Sequence, residues 1–348
     1  MKKLLLIALF LIGASAWAQP KLAKQYGLTE VKQSYSVSGQ SAKPTGIFTG
    51  KNGCLIYTGR NYYGWVFDSL TNDTIRYEMT FPKMKGAMRA AEPIPPVTEP
   101  LEVPQDLLDK APQSMAPMRQ AACAAITIKS PSTYFVMDFY SVQMLGGPQK
   151  AVDYITLRHA IRQQINQAGG DDVQRTIAGI YLMPNLQNKY DSLFQDPRYT
   201  GGSKANTALR WSAEQFINFG SQSSFITLYP LNFGGLAYRN PTWNRGGAAG
   251  IINGSQYAIA DPWTYDFTNY CIPHEMDGHG AGNYHTFNCI EYTDPTGKPM
   301  KLDSSYNEGS CSSPIKCGDW GDILSYRHIC SGGRIRAIWQ ALPFDAIA

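Results

Sequence analysis

The chain has 348 residues, 17% of them charged and 12% aromatic, and a formal net charge of +4. That balance argues against a disordered chain, and a small positive excess without Lys/Arg clusters leaves no footprint for nucleic acid. In chain order, residues 1–18 (MKKLLLIALFLIGASAWA) combine a Lys-Lys start, a short apolar run and an Ala16-Trp17-Ala18 end, the pattern of a cleavable secretory signal. The run is too short for a good membrane anchor, and no cysteine follows it to carry a lipid. The expectation is a secreted or periplasmic protein with no membrane contact once the signal is removed. Seven cysteines (54, 123, 271, 289, 311, 317 and 330) then read first as disulfide partners. Their number is odd, so at least one thiol is left over, bound to metal or paired between chains. The C-terminal four favour two bridges, with connectivity open.

Residues 33–81 alternate short β-like runs with turns (QSYSVSG, GCLIYTG, YYGWVFD, DTIRYEMTF), which predicts a small all-β unit within 19–90. The stretch AEPIPPVTEPLEVP (91–104) carries five prolines, and APQSMAP follows soon after. Such a segment builds neither helix nor central strand and reads, over 91–121, as an extended linker open to proteases.

From 122 to 348 strands and helices alternate. TYFVMDFYSV (133–142) predicts a buried strand. AVDYITLRHAIRQQINQA (151–168) predicts a helix, with Tyr154, Leu157, Ile161, Ile165 and Ala168 on its apolar side and His159 on its solvent side. TIAGIYLM (176–183) predicts a strand, NTALRWSAEQFINFG (206–220) a helix, and FITLYPL with GGLAY (225–238) further strands. The order β-α-β-α-β implies an α/β (α+β) domain with a twisted mixed sheet and helices packed on it.

The chemistry concentrates in HEMDGHGAGNYH (274–285), which holds three of the five histidines and a glutamate. From His279 the text is H-x-x-G-x-x-H. A helix carrying His274 and His279 must stop for the chain to swing His285 onto the same metal, and Gly282 is the residue type that permits the left-handed turn. Glu275, beside the open coordination position, is placed to take a proton from water activated by the metal. Three neutral imidazoles suit zinc.

These residues resemble a known family. HE-x-x-GH-x-x-G-x-x-HT-x-x-C is similar to the zinc signature of the reprolysin-like (adamalysin-type) metzincins, secreted metalloendopeptidases, with the bacterial branch nearest. GGLAY (234–238) with GIINGSQYAIADPWTYDFTNYCIPHE resembles the family's edge strand, the next strand and the entry to the active-site helix. EGSC (308–311) and GDILSY (321–326) resemble its cysteine segment and Met-turn.

The likeness covers about 122–340 and implies a metzincin-like catalytic domain, with the β-rich unit ahead of it as a propeptide. It implies one catalytic zinc on His274, His279 and His285, with Glu275 as general base. It also implies an edge strand Gly235, Leu236, Ala237 and Tyr238 that binds a peptide or protein substrate through its main chain. The propeptide would be an intramolecular inhibitor, with Cys54 a candidate for zinc's fourth position or else a buried thiol or a partner of Cys123. Cys271 and His328 would be structural, and Asp266 a helix cap.

Three departures from the pattern bear on activity. His274 and His279 are five residues apart, not four, and at about 100° per residue an α-helix leaves them roughly 140° apart. A π-bulge absorbing Asp277 or Met276 would restore one face, whereas an interrupted helix would weaken the site. Pro273 precedes the first ligand, at home only if the helix begins there. Leu324 stands at the Met-turn methionine, a swap of similar volume. The expected protein is therefore a zinc endopeptidase made as a zymogen. The alternatives are a catalytically impaired metzincin-like scaffold that serves as a secreted binding protein, or a disulfide-stabilised surface domain.

Overall fold

The computed structural model describes residues 21–57, 62–66, 76–77, 101–102, 106, 132–168, 173–183, 204–216, 221–228, 235–239, 249–253, 268–281, 285, 292–293, 298–300 and 324. The proposed signal, Asp266, His328, Gly282 and the cysteines at 123, 289, 311, 317 and 330 lie outside them.

A short helix α1 (Lys21–Gln25) leads into strands β1 (Thr29–Glu30), β2 (Tyr35–Val37), β3 (Gln40–Ala42), β4 (Ile47–Gly50), β5 (Gly53–Tyr57), β6 (Tyr62–Val66) and β7 (Arg76–Tyr77). After β8 (Leu101–Glu102) come β9 (Ser132–Met137), helices α2 (Phe139–Met144) and α3 (Pro148–Ala168), β10 (Thr176–Leu182), α4 (Lys204–Phe216), β11 (Gln222–Thr227), β12 (Gly235–Arg239) and β13 (Ala249–Asn253). Helix α5 (Thr268–Pro273) then carries the chain towards the histidines, and β14 (Tyr292–Thr293) pairs with β15 (Pro299–Met300). The mixed α/β architecture agrees with the sequence at this level.

The larger sheet has eight strands in the order β3-β2-β10-β9-β11-β13-β12-β8. Strands β2, β10, β9, β11 and β13 run parallel, and β12 returns antiparallel to β13. Successive side chains of a strand point to opposite faces, and the two cores follow that rule. Phe135, Met137, Ile180 and Ile226 meet α3, α5 and Leu324 on one face. Val136 and Phe225 meet Ala205, Leu209 and Ala213 of α4 on the other. Full burial of a Val, Leu, Ile, Phe or Met side chain among these contributes roughly 1.5–3 kcal/mol.

The expected strand 133–142 stops at Met137 because Asp138 caps a helix. Its carboxylate accepts the Ser141 N–H at 2.8 Å, the Ser141 hydroxyl at 2.7 Å and the Thr227 hydroxyl at 2.9 Å. Helix α3 is buried on more than its apolar stripe. Arg158, Arg162 and Asn166 are buried too, and His159, expected in solvent, is buried with its Nε2 3.2 Å from the Arg175 carbonyl. The periodicity located the apolar side of this helix but not what covers the other.

The N-terminal β-rich unit shares its core with the rest. Its five-stranded antiparallel sheet, β1-β4-β5-β6-β7, lays Ile47, Cys54 and Ile56 into the same cluster as Tyr154, Leu157 and Ile161 of α3. Strand β2 joins the large sheet in parallel with β10 through Val37 and Ile180. Asp153 and Gln164 of α3 bond the backbone at Thr45 and Gly50. The Cys54 thiol points at the Gln164 side-chain oxygen, 3.5 Å away, so a role as a metal-blocking thiolate is not supported.

Candidate metal centre

The late histidine is accommodated by a change of helix type. Helix α5 passes at Pro273 into a π-helical turn, His274–Gly278, and then into a 3-10 turn, His279–Ala281. Pro273 therefore closes an α-helical segment instead of opening one, the position in which the sequence would have it at home. Its ring nitrogen has no proton to give to the turn before it, and the hydrogen-bond register changes at the following residue. The His279 N–H reaches the carbonyls of both Glu275 and His274. The bond to His274 spans five residues, which defines a π turn, and it closes the ring on the two intended ligands. His274 and His279 thus regain one face.

His285 arrives from beyond the 3-10 turn, and the three imidazoles converge. The Nε2 atom of His285 lies 3.2 Å from that of His274 and 3.1 Å from that of His279. The His274 and His279 rings stand nearly perpendicular, 88° apart, and all three side chains are buried. Ligands about 2.1 Å from one tetrahedral ion sit roughly 3.4 Å apart, so the set fits a single metal. Among the described residues these are the His, Cys, Asp or Glu side chains that gather closely enough to hold one.

Glu275 is buried next to the first ligand. Its carboxylate accepts from the Cys271 thiol at 3.9 Å, and burial pushes its proton affinity well above the usual carboxylate range, with Cys271 opposing the rise. Gly235, at the start of β12, has no room for a side chain. A Cβ there would overlap the Glu275 carboxylate and the Cys271 sulfur, with Glu275 Cδ at 2.7 Å. The general-base candidate therefore lies directly against the strand expected to carry substrate.

That strand is not the outermost one. Gly235, Leu236 and Ala237 pair with β13, while Tyr238 and Arg239 pair in parallel with Leu101 and Glu102 of the proline-rich stretch. Nearby, Asp106 meets Arg210 of α4 at 2.5 Å. Leu324, which the resemblance implies at a Met-turn, is fully buried beneath the π turn. A Cβ on Gly278 would fall 2.9 Å from Leu324 Cγ and overlap Cδ2.

The side chain of Asp277 turns away from the histidines into a buried polar cluster. Its carboxylate accepts from Arg162 Nε at 2.6 Å, Arg162 Nη2, Arg175 Nε at 2.7 Å and Asn166 Nδ2 at 2.7 Å. Burial alone would raise its pKa, but Arg162 and Arg175 outweigh that and hold it at about 2. Sequence reasoning did not identify this cluster. Its one visible trace was the polar i, i+4 pair Arg162 and Asn166 on a helix taken as amphipathic.

No protein-family model matches the chain, and no curated protein is significantly similar to it in sequence.

Proposed function

We propose that the chain is an exported zinc metalloendopeptidase of the reprolysin-like metzincin type, kept latent by its own N-terminal segment. The observation that carries this reading is the convergence of His274, His279 and His285 with Glu275 beside them. Three neutral imidazoles with a position left for substrate suit zinc, which when bound supplies Lewis-acid polarisation of a carbonyl and of water.

The remaining chemistry belongs to the chain's own groups. Glu275 takes the proton of the attacking water and delivers it to the leaving amine, and the high proton affinity that burial gives it favours the first half of that task. A peptide laid along β12 by main-chain hydrogen bonds would run past this carboxylate at Gly235. The side chains of Leu236, Ala237 and Tyr238 are buried, so recognition would fall to the backbone edge of β12 away from β13, part of which Leu101–Glu102 fill.

The pairing of Leu101–Glu102 on Tyr238–Arg239 supports intramolecular inhibition by the proline-rich stretch rather than by Cys54. Cleavage in 91–104 would release that occupant. Export rests on the signal-like residues 1–18. No helix among the described residues is long and apolar enough to cross a membrane.

The test uses the full chain before and after limited proteolysis of the proline-rich stretch. The expected result is about one zinc per chain and chelator-sensitive hydrolysis of an unfolded protein, stronger after the cut. Glu275→Gln should abolish hydrolysis and retain the metal. Metal without hydrolysis in the cut wild-type protein would refute the enzyme and favour the secreted binding scaffold.

A further inference from the structure

An inserted residue in a ligand-bearing helix has two problems to solve. The backbone must take a wider turn, and the extra side chain must be placed where it does not disturb the ligands. The π turn solves the first. A π turn is an uncommon arrangement that ordinary helical sequences do not maintain by themselves, so something must hold it.

The groups around Asp277 have the geometry to do so. Its two carboxylate oxygens take four donors from three side chains, Arg162 and Asn166 on α3 and Arg175 just before β10. Arg162 is itself fixed by the Thr133 hydroxyl at 3.0 Å and the Gln222 side-chain oxygen at 2.8 Å, on strands β9 and β11. Asp277 and Arg162 are buried, and charge-assisted bonds of this kind are strong and directional. The carboxylate is therefore tied to one helix and, through Arg162, to the centre of the sheet. It lies midway along the turn that joins His274 to His279.

We propose that Asp277 is a positioning residue for the metal centre. Clamped by Arg162, Arg175 and Asn166, it holds the π turn in the one register that aims His274 and His279 at a common ion. This rests on the metal-centre reading above, and it makes Asp277 part of the site. Metal-site partners beyond the ligands commonly change metal affinity by 10–100-fold when altered, and Asp277 acts on two ligands at once through the backbone between them.

The test measures cobalt(II) and zinc binding to the full chain by competition with a chromophoric chelator, together with the cobalt visible absorption and the melting of the metal-free protein. Asp277→Asn keeps the shape and removes the charge. It should weaken metal binding by about 10–100-fold and reduce and shift the cobalt bands, while a cooperative melt shows that the fold persists. Arg175→Gln, which leaves Arg162 and Asn166 in place, should move both readouts in the same direction by less. Asp277→Glu, which retains the charge, should recover part of the affinity.

Wild-type affinity and an unchanged cobalt spectrum in Asp277→Asn would overturn the proposal and leave the metal centre standing. Should Asp277→Asn fail to fold, unchanged binding in Arg175→Gln overturns it instead. A wild-type chain that gives no cobalt spectrum would overturn the metal-centre reading and this proposal with it.

Discussion

Gly278 and Leu324 give the sharpest test of how the metal helix is seated. Alanine is favoured over glycine by about 1 kcal/mol inside a helix, and Gly278 has no positive φ to forbid it. Against that gain, the new methyl would overlap Leu324, with Cγ at 2.9 Å and Cδ1 at 3.3 Å. Overpacking of this kind costs about 1–3 kcal/mol, so Gly278→Ala should be destabilising by up to about 2 kcal/mol. Leu324→Ala removes all the clashing atoms and should itself cost about 2–5 kcal/mol through the cavity it leaves.

In that background the sign should reverse. Gly278→Ala would then keep its helical gain, fill part of the cavity and stabilise the protein by up to about 1 kcal/mol. The four proteins, metal-free, can be compared by urea or thermal unfolding, and the coupling should lie near 1–3 kcal/mol. Equal destabilisation by Gly278→Ala in both backgrounds would show that Leu324 does not lie under the π turn.

Gly235→Ala should lower chelator-sensitive hydrolysis and cost about 1–3 kcal/mol, because its Cβ displaces Glu275; zinc content should hold, and unaltered activity would separate β12 from the base. Burial, with Arg162 nearby, pushes His159 down from its ordinary 6.5 to about 3. Between those values the unfolded chain takes up a proton that the folded chain refuses, so this contribution is intact above pH 6.5 and lost as pH falls, by about 1.4 kcal/mol per unit. His159→Gln should flatten the fall in unfolding free energy between pH 7 and 5 relative to wild type, and an identical slope in both proteins would refute this. Asp138→Ala should cost about 2 kcal/mol or more, since a cap is lost and buried donors are stranded; Asp138→Asn should cost less, as denaturation midpoints would show. Arg210→Ala should change stability by less than about 1 kcal/mol yet speed cleavage around Asp106 by an added protease; an unchanged rate would mean the ion pair does not hold that segment.

What was legible in the sequence was local. The candidate site is readable because His274, Glu275, His279 and His285 sit within twelve positions, and the five-residue step from His274 to His279 marks where an α-helix has to change type. Strand and helix positions followed from apolar periods, with an error at 133–142 where Asp138 turns strand into helix cap. What was not legible depended on distant pairing. Asp277 meets partners more than a hundred residues away, and nothing in a helical period of Tyr154, Leu157 and Ile161 says that Arg162 beside them is buried. The parallel entry of β2 into the large sheet is equally non-local, and the propeptide likeness suggested a separable unit.

Under the proposed zymogen reading, that entry bears on what activation would involve. Helix α3 bears on the metal helix through Arg162 and Asn166, and on the N-terminal unit through Gln164 and the apolar contacts of Ile47, Cys54 and Ile56. Stripping the whole unit would uncover the α3 surface packed on Ile47 and Ile56, at roughly 1.5–3 kcal/mol for each such fully buried side chain, and would remove β3 and β2 from one side of the large sheet. The same helix would then have to keep Arg162 aligned with Asp277 from one side only. Cleavage that frees Leu101–Glu102 but leaves 21–57 docked avoids this cost, since β8 touches β12 by two residues and Asp106 by an exposed ion pair. On the proposed zymogen reading, the stretch that would inhibit and the stretch that supports the fold are therefore distinct. A nicked chain that retains its N-terminal fragment is the form in which the candidate metal centre would keep its support.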